Sequence, residues 1–129
     1  MIEATSELLV FQVGARLFAS EVGDVVRIGS VRDVPPEELV EDTVLGASFS
    51  RERGLVVADA AAGTEATLVV DQVLGVRPVA SRDVRPLPAF AAAVLRTGAV
   101  AGLVLLDELP TLLVDLPTLI RERRAAAAT

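Results

Sequence analysis

The sequence LVVDQVLGV, residues 68–76, carries the strongest structural signal in the chain. Leu68–Val70 is a short apolar run that ends at Asp71, and apolar residues continue to Val76. Valine is enriched in strands because its branched side chain packs well on a pleated surface. A glycine such as Gly75 marks a place where a strand can bend. The stretch therefore predicts one long β-strand over Leu68–Val76, bent at Gly75.

Several other segments have the same character, with short apolar runs separated by turn residues. Gly14-Ala15 lies between two such runs and predicts a hairpin. The further predicted strands are Leu8–Val13, Arg16–Ala19, Val22–Ile28, Leu55–Ala58, Val100–Leu106 and Leu109–Leu116. Many short strands with little helix predict an all-β protein built as a barrel or a pair of small barrels.

Helix is expected only in short pieces. The predicted segments run from Pro35-Pro36 through Leu39 and Val40 to about Gly46, over Ala89–Leu95, and over Thr118–Arg124 after Pro117. Proline fits the first turn of a helix because its missing N–H has no helical partner there. With 129 residues, the chain fits one domain, or two small lobes that share a core, predicted at 7–122, with 123–129 as a frayed C-terminal tail.

The composition excludes most catalytic chemistry. Histidine, cysteine, tryptophan, tyrosine and lysine are absent, so no histidine general base, thiol nucleophile or Schiff-base lysine can exist. We expect no enzyme activity and no cofactor. The net charge of −6 argues against nucleic-acid binding, which needs a basic surface. Apolar runs are shorter than the roughly 18 residues of a membrane span, so we expect no membrane insertion and a cytoplasmic location.

Carboxylates are the remaining chemical groups of interest. Four apolar runs end in aspartate, at Asp59, Asp71, Asp107 and Asp115. These could share a metal ion in a carboxylate-dependent metal-binding β-barrel, which stays an alternative. The favoured interpretation is that each aspartate ends a strand by accepting hydrogen bonds from turn backbone. No metal site is predicted.

Taken in order, the segments resemble the CheW-like adaptors of bacterial chemosensory systems. The segments that carry the resemblance are Leu9–Gly14, Val22–Ile28, Val44-Leu45-Gly46 followed by Arg51 and Asp59, Leu68–Val76, and Val100–Leu116 with the terminal helix. The resemblance implies two five-stranded β-barrel lobes with a groove between them and no catalysis. It also implies partners: the cytoplasmic tip of a chemoreceptor (a methyl-accepting protein) and a histidine kinase of the CheA type.

Three departures from the family pattern qualify that expectation. Where the family has Asn-Leu-Arg-Gly, this chain reads Phe49-Ser50-Arg51-Glu52, and Gly54 allows a shifted register with Arg53 as the equivalent arginine. A common acidic residue late in the second strand is replaced by Arg27. About one strand and its loop are missing between Asp59 and Asp71, in the second lobe, which in the family pairs with the kinase.

The resemblance and its departures together give a functional hypothesis. The protein is expected to be an adaptor or scaffold that couples to a chemoreceptor and has weakened or lost kinase binding; a full receptor-to-kinase coupler is the alternative. The shortened design is similar to the accessory CheW-like adaptor of the frizzy (Frz) gliding-motility system. An open barrel edge could also bind other CheW-like proteins or a second copy, as a homodimer.

The residues predicted to contact a partner are Val25, Arg27, Arg51, Val70 and Val73. A guanidinium group can hold carboxylate or carbonyl groups of a helical partner, which makes Arg51 the leading candidate. Arg51 can also be an ordinary surface arginine in an Arg-Glu-Arg run. Each valine can equally be a core residue, because a strand valine usually packs inward.

Overall fold

The computed structural model describes residues 5–40, 45–59, 63–89, 91 and 98–127. In these ranges the chain forms two β-sheets and a C-terminal α-helix. The elements are β1 Thr5–Val13, β2 Arg16–Glu21, β3 Val25–Ser30, β4 Leu39–Val40, β5 Arg53–Asp59, β6 Thr64–Val70, β7 Gln72–Ala80, β8 Val100–Leu106, β9 Leu109–Val114 and α1 Leu116–Ala127. Single 3₁₀ turns lie at Val22–Asp24, Val31–Asp33, Pro36–Glu38 and Ser81–Asp83.

One lobe is a five-stranded sheet with the strand order β7-β1-β2-β9-β8. The predicted hairpin at Gly14-Ala15 is confirmed as β1–β2, and the predicted strands Val100–Leu106 and Leu109–Leu116 pair as the hairpin β8–β9. The two ends of the sheet meet, because Arg77 on β7 forms a bidentate ion pair with Asp107 in the β8–β9 turn, at 2.8 and 3.1 Å. Arg85, after β7, also exchanges backbone hydrogen bonds with Leu103 on β8, both at 2.8 Å. The sheet therefore closes into a small barrel.

The other lobe is a four-stranded sheet with the order β3-β5-β6-β4. Its β5–β6 ladder runs from Arg53 opposite Val70 to Asp59 opposite Thr64. Between Asp59 and Asp71, the described residues are Gly63, in a turn, and strand β6, which agrees with the predicted short second lobe. The fourth strand, β4, has two residues and runs parallel to β6.

Strand β1 is shared by two hydrophobic cores. Leu9, Phe11 and Val13 pack in a common core between the two sheets. Leu8 and Val10 point the opposite way, into the interior of the five-stranded barrel. Side chains alternate across a strand, so this double burial explains the run of apolar residues in β1. The helix α1 completes the common core with Leu116, Leu119 and Ile120.

Two segments differ from the sequence prediction. The predicted helix through Leu39 and Val40 is wrong: a 3₁₀ turn at Pro36–Glu38 leads into strand β4, where Leu39 and Val40 pair with β6. The Pro-Glu-Glu start suits a first helical turn. Val40 then packs against the common core, and this tertiary contact with the sheet overrides the local preference.

The predicted single strand Leu68–Val76 is also wrong, because the chain changes sheets at Asp71. Strand β6 ends at Val70 in the four-stranded sheet, and β7 begins at Gln72 in the five-stranded one. The bend expected at Gly75 is confirmed: its φ is +129°, and the β1–β7 register shifts beside it. Only glycine adopts that φ readily.

Other boundaries move by a few residues. The predicted strand Val22–Ile28 begins with a 3₁₀ turn and becomes β3 at Val25. The terminal helix begins at Leu116, before Pro117, and residues 123–127 continue it. Of the predicted helical turns at Ala89–Leu95, all but Ala89 and Ala91 lie outside the described residues.

Candidate functional site

The carboxylate of Asp71 lies where the chain crosses between the sheets. Its Oδ2 accepts a hydrogen bond from the Gly14 amide at 2.5 Å, and its Oδ1 accepts one from the Ser50 amide at 2.7 Å. The hydroxyl of Ser48 donates to Oδ1 at 3.1 Å. The Asp71 amide donates to the Gln12 carbonyl at 2.8 Å. Asp71 thus joins the β1–β2 turn to the segment 46–52, which we name the arginine loop.

A further hydrogen bond within the arginine loop depends on the contact between Ser48 and Asp71. Ser48 Oγ accepts the Arg51 amide at 3.0 Å while its hydroxyl donates to Asp71. Arg51 has a φ of 54°, in the left-handed region that non-glycine residues occupy at a cost of about 1–3 kcal/mol. The relay from Asp71 through Ser48 therefore holds Arg51 in a strained backbone conformation.

The protonation of Asp71 reflects these contacts. Partial burial raises the pKa of its carboxyl, but hydrogen bonds from Ser50, Gly14, Ser48 and the Phe49 backbone outweigh that effect and hold the pKa below its ordinary value of 3.8. Hydrogen bonds to a carboxylate favour the charged form. Asp71 is therefore ionised at neutral pH, with its oxygens turned to donors of the protein itself.

The predicted contact residues occupy two regions. Arg51 is exposed on the arginine loop, and Arg53, its alternative in the shifted register, is the first residue of β5. Arg27 lies on β3, paired in the ladder with Val56. Its guanidinium binds the Glu65 carboxylate on β6 at 3.0 and 3.2 Å. The charge reversal at Arg27 is therefore matched by an acidic residue two strands away.

The three predicted valines differ in burial. Val70 is fully buried in the common core, so its side chain supports the site from within and does not line a surface. Val25 and Val73 are half-buried and pack against the same core from its edge. The structure thus places Val70 and Val73 beside the Asp71 crossing, whereas Val25 and Arg27 lie along β3.

The sequence did not predict Gly14, Ser48, Phe49 or Ser50 as residues of this site. Gly14 has a φ of +59°, and a Cβ there would lie 3.0 Å from the Ala47 carbonyl oxygen, so glycine is required for the turn and loop to meet. Phe49 is 76% exposed. A serine three residues before an arginine and an aspartate at a strand end are weak local signals, because only the complete fold brings them together.

Asp71 and Asp115 accept hydrogen bonds from backbone amides, as the favoured interpretation predicted, whereas Asp107 binds an arginine side chain. Asp115 accepts a hydrogen bond from the Thr118 amide at 3.1 Å, in the first turn of α1, and Asp107 binds Arg77. The side chain of Asp59 lies outside the described residues. Among the groups that are described, no three carboxylates lie together in a way that could hold an ion. Nor is any described helix long and apolar enough to cross a membrane.

No protein-family model and no curated protein matches the chain. The search of solved structures finds a clear likeness to the scaffolding protein TtCheW from Thermoanaerobacter tengcongensis. The TM-score is 0.65 and the sequence identity 17%, over 86% of this chain and 89% of that one. The likeness thus extends over most of both chains. The protein has the CheW-like fold.

Proposed function

We propose that this protein is a non-enzymatic adaptor of a bacterial chemosensory array. It binds the cytoplasmic tip of a chemoreceptor and has weakened or lost binding to a CheA-type histidine kinase. The observation that carries the proposal is the CheW-like fold, in which the neighbour named as a scaffolding protein is matched in both lobes. The composition supports the non-enzymatic part, because histidine, cysteine and lysine are absent from the sequence.

The short lobe supports the loss of kinase binding. Its sheet has four strands, and its β4 edge is only two residues long. Docking between barrels uses exposed strand edges and their rows of apolar side chains. A lobe that lacks one strand offers a different edge from the one that the family uses toward the kinase. Binding through that surface is therefore expected to be weak.

The receptor contact is assigned to Arg51, with Arg27, Val25 and Val73 as further contact residues and Val70 as a supporting core residue. Arg51 and Arg27 are exposed and carry groups suited to carboxylates. Val25 and Val73 border the common core, where both lobes meet. A receptor tip is a bundle of helices, so an arginine beside small apolar side chains fits its mixed surface.

A binding experiment tests the proposal directly. The full chain is titrated by calorimetry against a chemoreceptor cytoplasmic domain and, separately, against a kinase regulatory domain. We expect micromolar receptor binding that Arg51→Ala weakens about tenfold. Arg82→Ala is the matched control, because Arg82 is an exposed arginine at the far end of β7. Strong kinase binding with no receptor binding would refute the proposal.

The same proteins also distinguish the proposed adaptor from the alternative, a full receptor-to-kinase coupler. That alternative predicts receptor-dependent stimulation of kinase activity in a reconstituted mixture, which the proposed adaptor does not support. A cytoplasmic location follows from the proposed receptor contact. The role in a gliding-motility system and the homodimer stay predictions; deletion of the gene and size-exclusion chromatography test them.

A further inference from the structure

The arginine loop is joined at several points to parts of the chain distant in sequence. Asp71 receives hydrogen bonds from Gly14 on one side and from Ser48 and Ser50 on the other. Ser48 in turn receives the Arg51 amide. The amide of Val31, after β3, also donates to the carbonyl of Glu52 at 2.9 Å. An exposed loop with this many backbone anchors has a defined conformation in the unbound protein.

The anchored loop presents two side chains that differ in character. Phe49 has the most exposed large hydrophobic side chain among the described residues, at 76%. Its ring lies over the β1–β2 turn, 3.8 Å from where a Cβ on Gly14 would be. Arg51 is exposed two residues further on, in its left-handed conformation. An aromatic ring and a guanidinium are the groups that most often dominate binding energy at interfaces.

Arginine side chains are concentrated around the arginine loop, although the chain as a whole has a net charge of −6. Arg51 and Arg53 flank Glu52, and Arg16 follows the Gly14 turn that Asp71 binds. The nearby Asp71 carboxylate is occupied by its donors. A partner that complements this region carries carboxylates beside an apolar pocket able to take a phenyl ring.

We infer that Asp71 is a positioning residue, which fixes the arginine loop so that Phe49 and Arg51 form one preformed contact surface for an acidic protein partner with an apolar pocket. This inference rests on the proposed function, since the partner is taken to be the chemoreceptor domain. It adds Phe49 to the contact and gives Asp71, through Ser48, the role of setting its geometry. A preformed surface binds more tightly because less conformational entropy is lost on binding.

Hydrogen exchange of the full chain tests the positioning. Asp71→Asn leaves one acceptor oxygen and introduces an NH₂ group that faces donors, so either the Gly14 amide or the Ser48 and Ser50 donors lose their acceptor. The Arg51 amide, which donates to Ser48 Oγ, is affected through Ser48. We expect the amides on the side that loses its acceptor to exchange at least about tenfold faster, while those of β8 and β9 are unchanged. Asp115→Asn is the control, because it removes a carboxylate that accepts the Thr118 amide elsewhere. Ser48→Ala, which leaves the Gly14 and Ser50 bonds in place, replaces Asp71→Asn if that variant fails to fold.

Receptor affinity then tests whether Asp71 acts through the contact surface. Asp71→Asn, and separately the double variant Phe49→Ala/Arg51→Ala, are each expected to weaken receptor binding about tenfold. In the double-variant background, Asp71→Asn should cause no further loss, because the side chains that it positions are gone. An additive loss, or unchanged exchange in Asp71→Asn, would overturn the inference. Absence of receptor binding by the wild type would instead refute the proposed function, while the exchange result still decides whether Asp71 orders the loop.

Discussion

Asp71 accepts a hydrogen bond from the amide of Gly14, 57 residues earlier in the chain, with an oxygen-to-nitrogen distance of 2.5 Å. This bond connects the residue at which the chain changes sheets to the first hairpin of the five-stranded barrel. Because the same carboxylate also binds Ser48 and Ser50, its ionisation affects both the stability of the fold and the arginine loop.

Stability should therefore fall in acid in a way that depends on Asp71. The pKa of Asp71 is lowered in the folded state, so its contribution is complete above the unfolded value near 3.8 and is lost as the pH falls through the folded value. Asp71→Asn should lower the free energy of unfolding by about 1–3 kcal/mol at pH 7. Urea unfolding between pH 7 and pH 2 measures the difference, which should shrink below pH 4. A constant difference would contradict the assignment.

Asp24 should show the opposite dependence on pH. Desolvation, followed by the nearby charges of Asp115 and Glu21, raises the pKa of its carboxyl above 3.8. The charged form is therefore unfavourable in the folded protein, and stability increases as the pH falls through the raised value. These three acidic residues line one surface cavity, together with Arg121.

Asp24→Asn is accordingly expected to raise the melting temperature at pH 7, with a gain below about 1 kcal/mol that vanishes in acid. Differential scanning calorimetry at pH 7 and pH 3 measures it. Asp33→Asn is the matched control, since Asp33 ends a similar 3₁₀ turn and is exposed. If both substitutions changed the melting temperature equally, the proposed effect of Asp115 and Glu21 on Asp24 would be wrong.

Gly54 should not tolerate even a methyl group. A Cβ at this position would collide with the Cγ2 atom of Thr67 on the adjacent strand. Gly54→Ala is expected to lower the free energy of unfolding by about 1–3 kcal/mol, as overpacking of a core does. Thr67→Ser removes that methyl and should recover much of the loss in the double variant. Gly29, opposite Gly54 in the ladder, is the control, because a Cβ there meets nothing within 4 Å.

The effect of replacing a phenylalanine on stability should depend on whether its ring is buried. Phe11 and Phe18 are fully buried with ring centroids 5.8 Å apart, whereas Phe49 is exposed. Phe18→Ala is expected to reduce stability by about 3–5 kcal/mol, and Phe49→Ala by less than about 0.5 kcal/mol. Thermal unfolding followed by far-UV circular dichroism compares them. A strongly destabilising Phe49→Ala would mean that its ring supports the fold.

The ion pair between Arg27 and Glu65 provides a test of Arg27 as a contact residue. Both side chains are substantially exposed, so their coupling energy in a double-mutant cycle should be below about 1 kcal/mol. If Arg27 binds the receptor, Arg27→Ala lowers receptor affinity, and Glu65→Ala leaves it equal or higher because the guanidinium is released. Equal losses from both substitutions would show that the pair acts only by keeping β3 and β6 in place.

Local pattern was sufficient for most strands because hairpins are formed between neighbours in sequence. Gly14-Ala15 and Asp107-Glu108 lie between apolar runs, and both pairs form the predicted turns. The spacing between Asp59 and Asp71 also predicted the short lobe correctly. These features depend on short-range backbone geometry and on chain length.

The remaining features depend on contacts between distant residues. The change of sheet at Asp71 interrupts a run that reads as one strand. Asp71 was also interpreted as a strand end, but nothing in residues 68–76 indicates that the chain continues in the other sheet. Leu39 and Val40 become a strand only because β6 offers them partners. The link from Ser48 to Asp71 spans 23 residues and requires the complete fold. Of the predicted contact residues, Val70 is buried in the common core, which is the alternative that the sequence left open for each valine.

Because β1 contributes to two cores, the two lobes cannot be separated into independent fragments. One row of its side chains belongs to the barrel interior and the other to the layer between the sheets. A fragment containing the five-stranded lobe alone would expose to water the β1 row that packs between the sheets, and the four-stranded lobe alone would lose that cover from its own core face. The five-stranded lobe is itself assembled from both ends of the chain. The two halves are therefore obliged to melt together, in a single cooperative transition.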